Sequence, residues 1–242
     1  MSAAPDSLAG ARVLVVGGSS GIGAATARQA AERGADVTIA SRSLEKLASA
    51  TAQCAFRLSL LPMDVTDEAA VRDSLASAGR WDHVVVTAGG TAVPGSTRIL
   101  PMEVARDNLE AKFWGAYQVA AFANLAERGS LTFVSGVYAV RPAPGRTLST
   151  VATAALEALT RALAFEFAPQ RVNCVSPGVV ATPMWDRLPE AERVRRFEAE
   201  AAALPARRIG EADDIAALIL ACATNPFLTG AVILADGGAV LQ

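Results

Sequence analysis

The segment at residues 12–23, RVLVVGGSSGIG, constrains this chain more than any other. A short apolar run leads straight into Gly17, Gly18, Ser19, Ser20, Gly21, Ile22 and Gly23, and an alanine-rich amphipathic stretch follows. A strand that ends on glycines and reopens as a helix leaves bare backbone N–H groups at the helix N-terminus, where a pyrophosphate can approach closely. The same alternation then repeats. Strands are expected over 12–16, 36–40, 56–63, 83–87, 131–135, 171–175 and 231–235. Helices are expected over 22–33, 43–50, 66–78, 101–126, 150–167, 184–203 and 213–223. Gly34 reads as the stop of the first helix, and Thr66 or Asp67 as the cap of the third. Strands that are apolar throughout, each followed by a helix, predict a parallel sheet covered on both faces. The expectation is therefore an α/β fold: one Rossmann-like, doubly wound domain over 1–242, with about seven parallel strands and helices on both sides. No linker and no repeat period divides it.

Composition narrows the function. Hydrophobic residues make up 52% of the 242, and the net charge is −2. No basic excess marks a nucleic-acid partner. The single histidine, His83, rules out a histidine-rich metal site, and Cys54, Cys174 and Cys222 are too far apart for a CxxC pair, so no metal is expected. Unpaired cysteines suit a reducing, cytoplasmic compartment. The first ten residues, with Pro5 and Asp6, lack the basic-then-apolar run of a leader. The uncharged stretch 215–235 has the length of a membrane span, but Asn225-Pro226 and Thr229-Gly230 break it into a helix, a turn and a short strand. No membrane partner is expected. His83 is read as an ordinary residue at the start of a strand.

The spacing G-x-x-x-G-x-G resembles the glycine motif of the short-chain dehydrogenase/reductase family, with Val16 where that family has threonine. The resemblance spans roughly 8–240. Asp64-Val65 resembles the family's adenine-contacting aspartate and its neighbour, and Thr87-Ala88-Gly89 the end of its N-N-A-G motif. Arg171-Val172-Asn173 with Ser176-Pro177-Gly178 and Thr182 resembles the segment that holds the nicotinamide. Arg208-Ile209-Gly210, Thr229-Gly230 and Asp236-Gly237-Gly238 match C-terminal landmarks. The resemblance implies a dinucleotide held by Gly17, Ser19, Ser20, Gly21, Ile22, Gly23, Asp64, Val65, Ala88, Gly89, Pro177, Gly178, Val180 and Thr182. The second strand ends Ala40-Ser41-Arg42, with no acidic residue to accept a ribose 2′-OH. Arg42 can pair with a 2′-phosphate and Ser41 can add a hydrogen bond, which favours NADP(H) over NAD(H).

The family's proton-transfer residues do not follow. Gly136 stands at its serine position, Ser149 at its tyrosine and Thr153 at its lysine, and no Y-x-x-x-K occurs anywhere in the chain. Lys112, within Lys112-Phe113-Trp114-Gly115, matches the family's asparagine position, with Asn108 one helical turn earlier as the alternative. Candidate catalytic groups are thus Lys112, Asn108, Tyr138 and Ser149. An ammonium at Lys112 could donate to a developing alkoxide, provided burial lowers its pKa.

Two functions are compatible with this pattern. One is a non-standard NADP(H)-dependent carbonyl reductase or dehydrogenase acting on a small carbonyl or alcohol. The other is a catalytically inactive dinucleotide-binding protein, a sensor or interaction subunit. Residues 183–206 are expected to form a substrate lid, with Met184, Trp185 and Leu188 covering an apolar substrate. The resemblance implies a homodimer or homotetramer, with the helices over 101–126 and 150–167 forming one interface and Ala152, Ala154, Ala155 and Ala158 as a small-residue face compatible with close packing.

Overall fold

A computed structural model describes residues 8–52, 54–89 and 93–242. Residues 1–7, most of the stretch read as lacking a leader pattern, lie outside the described residues.

Seven strands form one sheet in the order β3-β2-β1-β4-β5-β6-β9: β1 (Arg12–Val16), β2 (Asp36–Ser41), β3 (Ser59–Pro62), β4 (Trp81–Val86), β5 (Leu125–Val134), β6 (Arg171–Pro177) and β9 (Val232–Ala235). Every pairing is parallel. A second, two-stranded sheet pairs β7 (Val180–Ala181) with β8 (Gly210–Glu211), which the sequence reading did not foresee. Because side chains alternate across a strand, β1 sends Leu14 and Val16 to one core and Val13 and Val15 to the other. β4 divides Val84 and Val86 from Val85 in the same way. Leu75, Val119 and Leu156 from the helices α3 (Glu68–Ala78), α5 (Gly115–Phe122) and α6 (Thr147–Glu166) fill the first core. The second is filled by Ala27, Leu47 and Ile219 from α1 (Gly21–Glu32), α2 (Leu44–Ala52) and α8 (Ala212–Thr224). A two-sided core explains why these strands read as unbroken apolar runs.

Strand order reverses between β1 and β4, opening a crevice beyond their C-terminal ends, where ligands bind in sheets of this type. Thr87 closes its floor: its N–H and its hydroxyl both donate to the Val16 carbonyl, at 2.8 and 3.1 Å.

Two local signals stand at element ends where they were expected. Asp67 caps α3 by accepting from the Ala70 N–H at 3.1 Å, and Gly34 takes positive φ just beyond α1. The single long helix expected over 101–126 is instead three pieces. α4 (Met102–Leu109) runs into a π-helical turn at Glu110–Trp114, then α5, and the chain has already entered β5 by Leu125. Residues 184–203 are likewise not one helix. A 3₁₀ turn at Pro183–Trp185 precedes α7 (Glu190–Ala203). Within 215–235 the expected helix, turn and strand are present as α8 and β9. By length and composition α6 could cross a membrane, but Leu156 and Leu163 on it are core residues packed with β-strand side chains.

His83 lies inside β4, two residues after its start, with Nδ1 2.9 Å from the Ser130 hydroxyl. Burial, with Arg171 nearby, lowers its pKa to about 4. Between pH 6.5 and 4 the unfolded chain therefore takes up a proton that the folded imidazole refuses, and stability falls as pH drops through that window. The expected loss is about 3 kcal/mol. Thermal melts of His83→Gln across this range should show a correspondingly flatter acid limb.

Candidate active site

A cleft of about 360 Å³ occupies the crevice. At one end lie Gly17, Ser20, Gly21, Ile22 and Gly23, from the β1–α1 turn. At the other lie Asn108, Lys112, Ser135, Gly136, Tyr138, Ser149 and Thr153. Thr87, Gly89, Pro177, Gly178, Val180, Thr182 and, from the segment expected to be a lid, Met184 and Trp185 complete the wall. Most residues expected at the site thus meet in one place.

The turn is held open by close approach. A Cβ on Gly23 would stand 2.2 Å from the Gly17 carbonyl oxygen and 2.7 Å from Thr87 Oγ1. Ser20 precedes α1 without a side-chain cap, and no acidic residue occupies the first turn of the helix. Its N–H groups and positive dipole end are left for a ligand. Thr182 and Asn108 are lining residues whose side-chain oxygens, Oγ1 and Oδ1, are buried and have no hydrogen-bond partner. Such groups are costly unless a ligand satisfies them. A phosphate-bearing molecule fits the bare N–H groups of α1 and the Thr182 hydroxyl, whereas Asn108 Oδ1, an acceptor, calls for a donor such as a hydroxyl. Ser19 lies beside the cleft, in an adjoining groove it shares with Arg28, Lys46 and Cys54.

Five expected contacts fall outside the lining of both cavities: Ser41, Arg42, Asp64, Val65 and Ala88. Ser41 donates to the Ser43 carbonyl at 3.3 Å, and Arg42 is exposed at the end of β2. Asp64 accepts from the N–H and hydroxyl of Thr66 at 3.0 and 2.9 Å. Val65 is buried against Gly115, whose Cβ, were there one, would stand 2.8 Å from Val65 Cγ2. The Ala88 N–H donates to the Val16 carbonyl. Two residues of the segment expected at the nicotinamide serve the frame instead. Arg171 bonds the Cys222, Ala223 and Leu228 carbonyls at 2.6, 2.5 and 3.1 Å. Asn173 bridges the Leu228 carbonyl and the Ala231 N–H.

At the far end, Lys112 sits within the π-helical turn, the kind of helix irregularity found often at functional sites. Its Nζ donates to the Val134 carbonyl at 2.7 Å, and its stem packs on Gly89, whose missing Cβ would lie 2.4 Å from Lys112 Cδ. Burial lowers the pKa to about 8, so a neutral amine and an ammonium are both accessible near neutrality. The hydroxyls around it are partly spent. Ser135 donates to Glu157 Oε1 at 2.9 Å, and Thr153 bonds back to the Ser149 carbonyl at 2.7 Å. Tyr138 rides a 3₁₀ turn at Val137–Ala139, with the Arg146 guanidinium 5.6 Å from its ring centroid.

Within the segment expected to be a lid, the three apolar residues are used differently. Trp185 is 9% exposed, donates to the Val180 carbonyl at 2.9 Å and meets Phe197 edge-on, so it anchors the segment. Met184 is the exposed apolar residue over the cleft, and Leu188 does not line it. Sequence reasoning missed Arg146 and Arg187, which line the cleft but belong to no motif.

Residues 16–240 match the family model described as enoyl-(acyl carrier protein) reductase. The chain is 34% identical to the short-chain dehydrogenase/reductase ATR9 of Stachybotrys chlorohalonatus, over 96% of this chain and 98% of that one. It is 30% identical to the 3-oxoacyl-(acyl-carrier-protein) reductase FabG of Thermotoga maritima, over 97% and 99%. A solved small-chain dehydrogenase in complex with NADPH superposes with a TM-score of 0.83 at 30% identity, covering 96% of this chain and all of that one (100%).

Proposed function

The chain belongs to the short-chain dehydrogenase/reductase family, and from that premise we propose that it is an NADP(H)-dependent oxidoreductase that works on a carbonyl or alcohol without a tyrosine acid. The observation that carries this reading is the single cleft joining the bare glycine turn to Lys112. A relative of 30% identity is solved with NADPH, which supports the cofactor class. The residues to hold it are Gly17, Ser19, Ser20, Gly21, Ile22, Gly23, Gly89, Pro177, Gly178, Val180 and Thr182, with Asp64, Val65 and Ala88 framing the adenine side.

A bound nicotinamide supplies or accepts a hydride. The protein's part is then to orient a carbonyl in the cleft and to meet the charge that develops on its oxygen. Orientation alone contributes much of the acceleration in such reactions. Lys112 is the group that can hold a proton there, because burial brings it within reach of neutral pH. Asn108, Tyr138 and Ser149, which line the same cleft, are the proposed hydrogen-bonding partners of the substrate around it. Residues 183–206 are the proposed lid, with Met184 as its exposed apolar cover.

Arg42 is the proposed partner of a 2′-phosphate. It is exposed, and none of the ion pairs among the described residues uses it. Arg42→Ala should weaken NADPH binding about ten- to a hundredfold while changing NADH binding little. Equal effects on both would remove the preference. The function itself is tested by following NADPH absorbance with purified protein and a carbonyl panel. Tight NADPH binding with no turnover on any member would favour the inactive dinucleotide-binding reading. That reading draws on the same structure, since the Ser135 and Thr153 hydroxyls already bond within the protein.

We also assign a homo-oligomer, built on α6. Of the four alanines expected at its surface only Ala158 is exposed, and Ala152 is buried. The apolar stripe is instead Val151, Ala158 and Phe165, spaced by seven, with Phe165 91% exposed. Phe165→Glu should shift the mass measured by light scattering toward the monomer. An unchanged mass would place any contact elsewhere.

A further inference from the structure

The cleft carries a charge pattern that hydride transfer does not require. Lys112, Arg146 and Arg187 line it, and no Asp or Glu is among the described residues that do. Arg146 stands at the start of α6, on the wall formed with Gly136, Tyr138 and Ser149. Arg187 follows the 3₁₀ turn of the lid. The ion pairs among the described residues use Arg28, Arg72, Arg193 and Arg208, and neither of these two. Asp186, beside Arg187 in sequence, is bonded by Arg193. α6 also opens with no side-chain cap and no acidic residue in its first turn. The positive end of a 20-residue helix therefore adds to the guanidinium groups. The neighbouring lining is neutral or apolar: Val137, Val179, Met184 and Trp185. Arg146 is half-buried and Arg187 exposed, so an anion entering the cleft can reach both guanidinium groups and meets cations gathered in its lining.

We propose that the substrate is an acid, a keto or hydroxy compound whose carboxylate is held by Arg146 and Arg187 while its reacting oxygen lies toward Ser149 and Lys112. This rests on the oxidoreductase reading and supplies its substrate class. Planar, forked guanidinium donors match a carboxylate in two-point contact. The Tyr138 ring under Arg146 limits the side chain's freedom on one wall. Arg187 rides on the lid, so an acid bound at Arg146 would draw the lid inward. The dinucleotide's own phosphates are the competing anions, because Thr182, five residues before Arg187, lies against Gly21.

The test separates these sources. Protein saturated with NADPH's oxidised form is titrated calorimetrically with 3-benzoylpropionate and with its uncharged amide, and with shorter and longer phenyl keto acids and their amides. At least one acid should bind about tenfold or more tighter than its amide, an advantage that shrinks with added salt. Arg146→Gln and Arg187→Gln should each reduce that advantage to threefold or less, a limit of roughly 0.7 kcal/mol, with dinucleotide affinity unchanged. The clamp is overturned if no acid outbinds its amide, or if the two variants weaken the dinucleotide instead. A protein that binds no dinucleotide contradicts the oxidoreductase reading. The acid-against-amide comparison is then made on the protein alone, where the same preference and the same loss still support the clamp and their absence overturns it.

Discussion

Gly23→Ala is expected to abolish dinucleotide binding, with a loss of at least about a hundredfold in affinity, equivalent to roughly 3 kcal/mol. The added methyl would stand 2.2 Å from the Gly17 carbonyl oxygen, 2.8 Å from the carbonyl carbon and 2.7 Å from Thr87 Oγ1. Two of these are backbone atoms, and Gly17 itself is hydrogen-bonded to the Ala40 carbonyl at 2.8 Å. The turn cannot yield by rotating a side chain, so it must open, and the N–H groups at the start of α1 lose their convergence. Overpacking of this kind also costs stability, about 1–3 kcal/mol. Two controls isolate the binding effect. In Gly21→Ala, at φ +52, the nearest atoms to the added methyl are side-chain atoms, Thr182 Cβ and Cγ2 at 3.3 Å and Pro183 Cδ at 3.8 Å, and binding should weaken less. Gly10→Ala, at φ +74 with nothing within 4 Å, carries backbone strain alone and should lower the melting temperature without touching affinity. Fluorescence titration with NADPH beside a circular-dichroism melt reads both quantities. A Gly23→Ala protein that stays folded and binds within threefold of the parent would show that the turn is not where the dinucleotide is held.

What could be read from residues alone was whatever local chemistry decides. The β1–turn–α1 unit, the cap at Asp67 and the stop at Gly34 depend on neighbours in sequence, and each stands where expected. The π-helical turn at Glu110–Trp114 has no mark of its own, since no glycine or proline interrupts residues 102–114. The charged start of β5 at Glu127-Arg128 is exposed and reads as the tail of the preceding helix. β3 is shorter than its apolar run because Phe56 and Arg57 are exposed before it begins. Within the cleft, the position of Lys112 was legible through Gly115, which packs on Val65. The use of each hydroxyl was not. Ser135 turns to Glu157, 22 residues away, and Thr153 turns to its own helix. Arg146 and Arg187 come from separate elements, so no spacing announces that they line one cleft.

Lys112→Met is expected to lower turnover about 10²- to 10⁴-fold, the range for losing a general acid or an oxyanion donor. The pH dependence carries the distinction. With a pKa of about 8, the ammonium needed for carbonyl reduction is present below that value and lost above it, so the reduction rate should fall as pH rises through 8. Alcohol oxidation needs the neutral amine and should show the opposite limb. Lys112→Arg keeps a charge but cannot release a proton in this range. It should retain some electrostatic help to the oxygen while losing the bend near pH 8. A second signature is independent of any substrate. The unfolded chain holds the lysine proton up to about 10.5, the folded chain only to about 8. Between these values the unfolded state binds more protons, so stability should increase as pH rises from 8 to 10.5, by about 3 kcal/mol in all. That rise should be absent in Lys112→Met, whatever the variant's stability at neutral pH after the Val134 carbonyl loses its donor. If turnover survives the substitution, or the bend near pH 8 persists without the lysine, proton transfer in this cleft belongs to another group. Tyr138 is then the next side chain to replace. If turnover and the stability rise are lost together, the burial that destabilises the fold at neutral pH is the same burial that tunes the amine for chemistry.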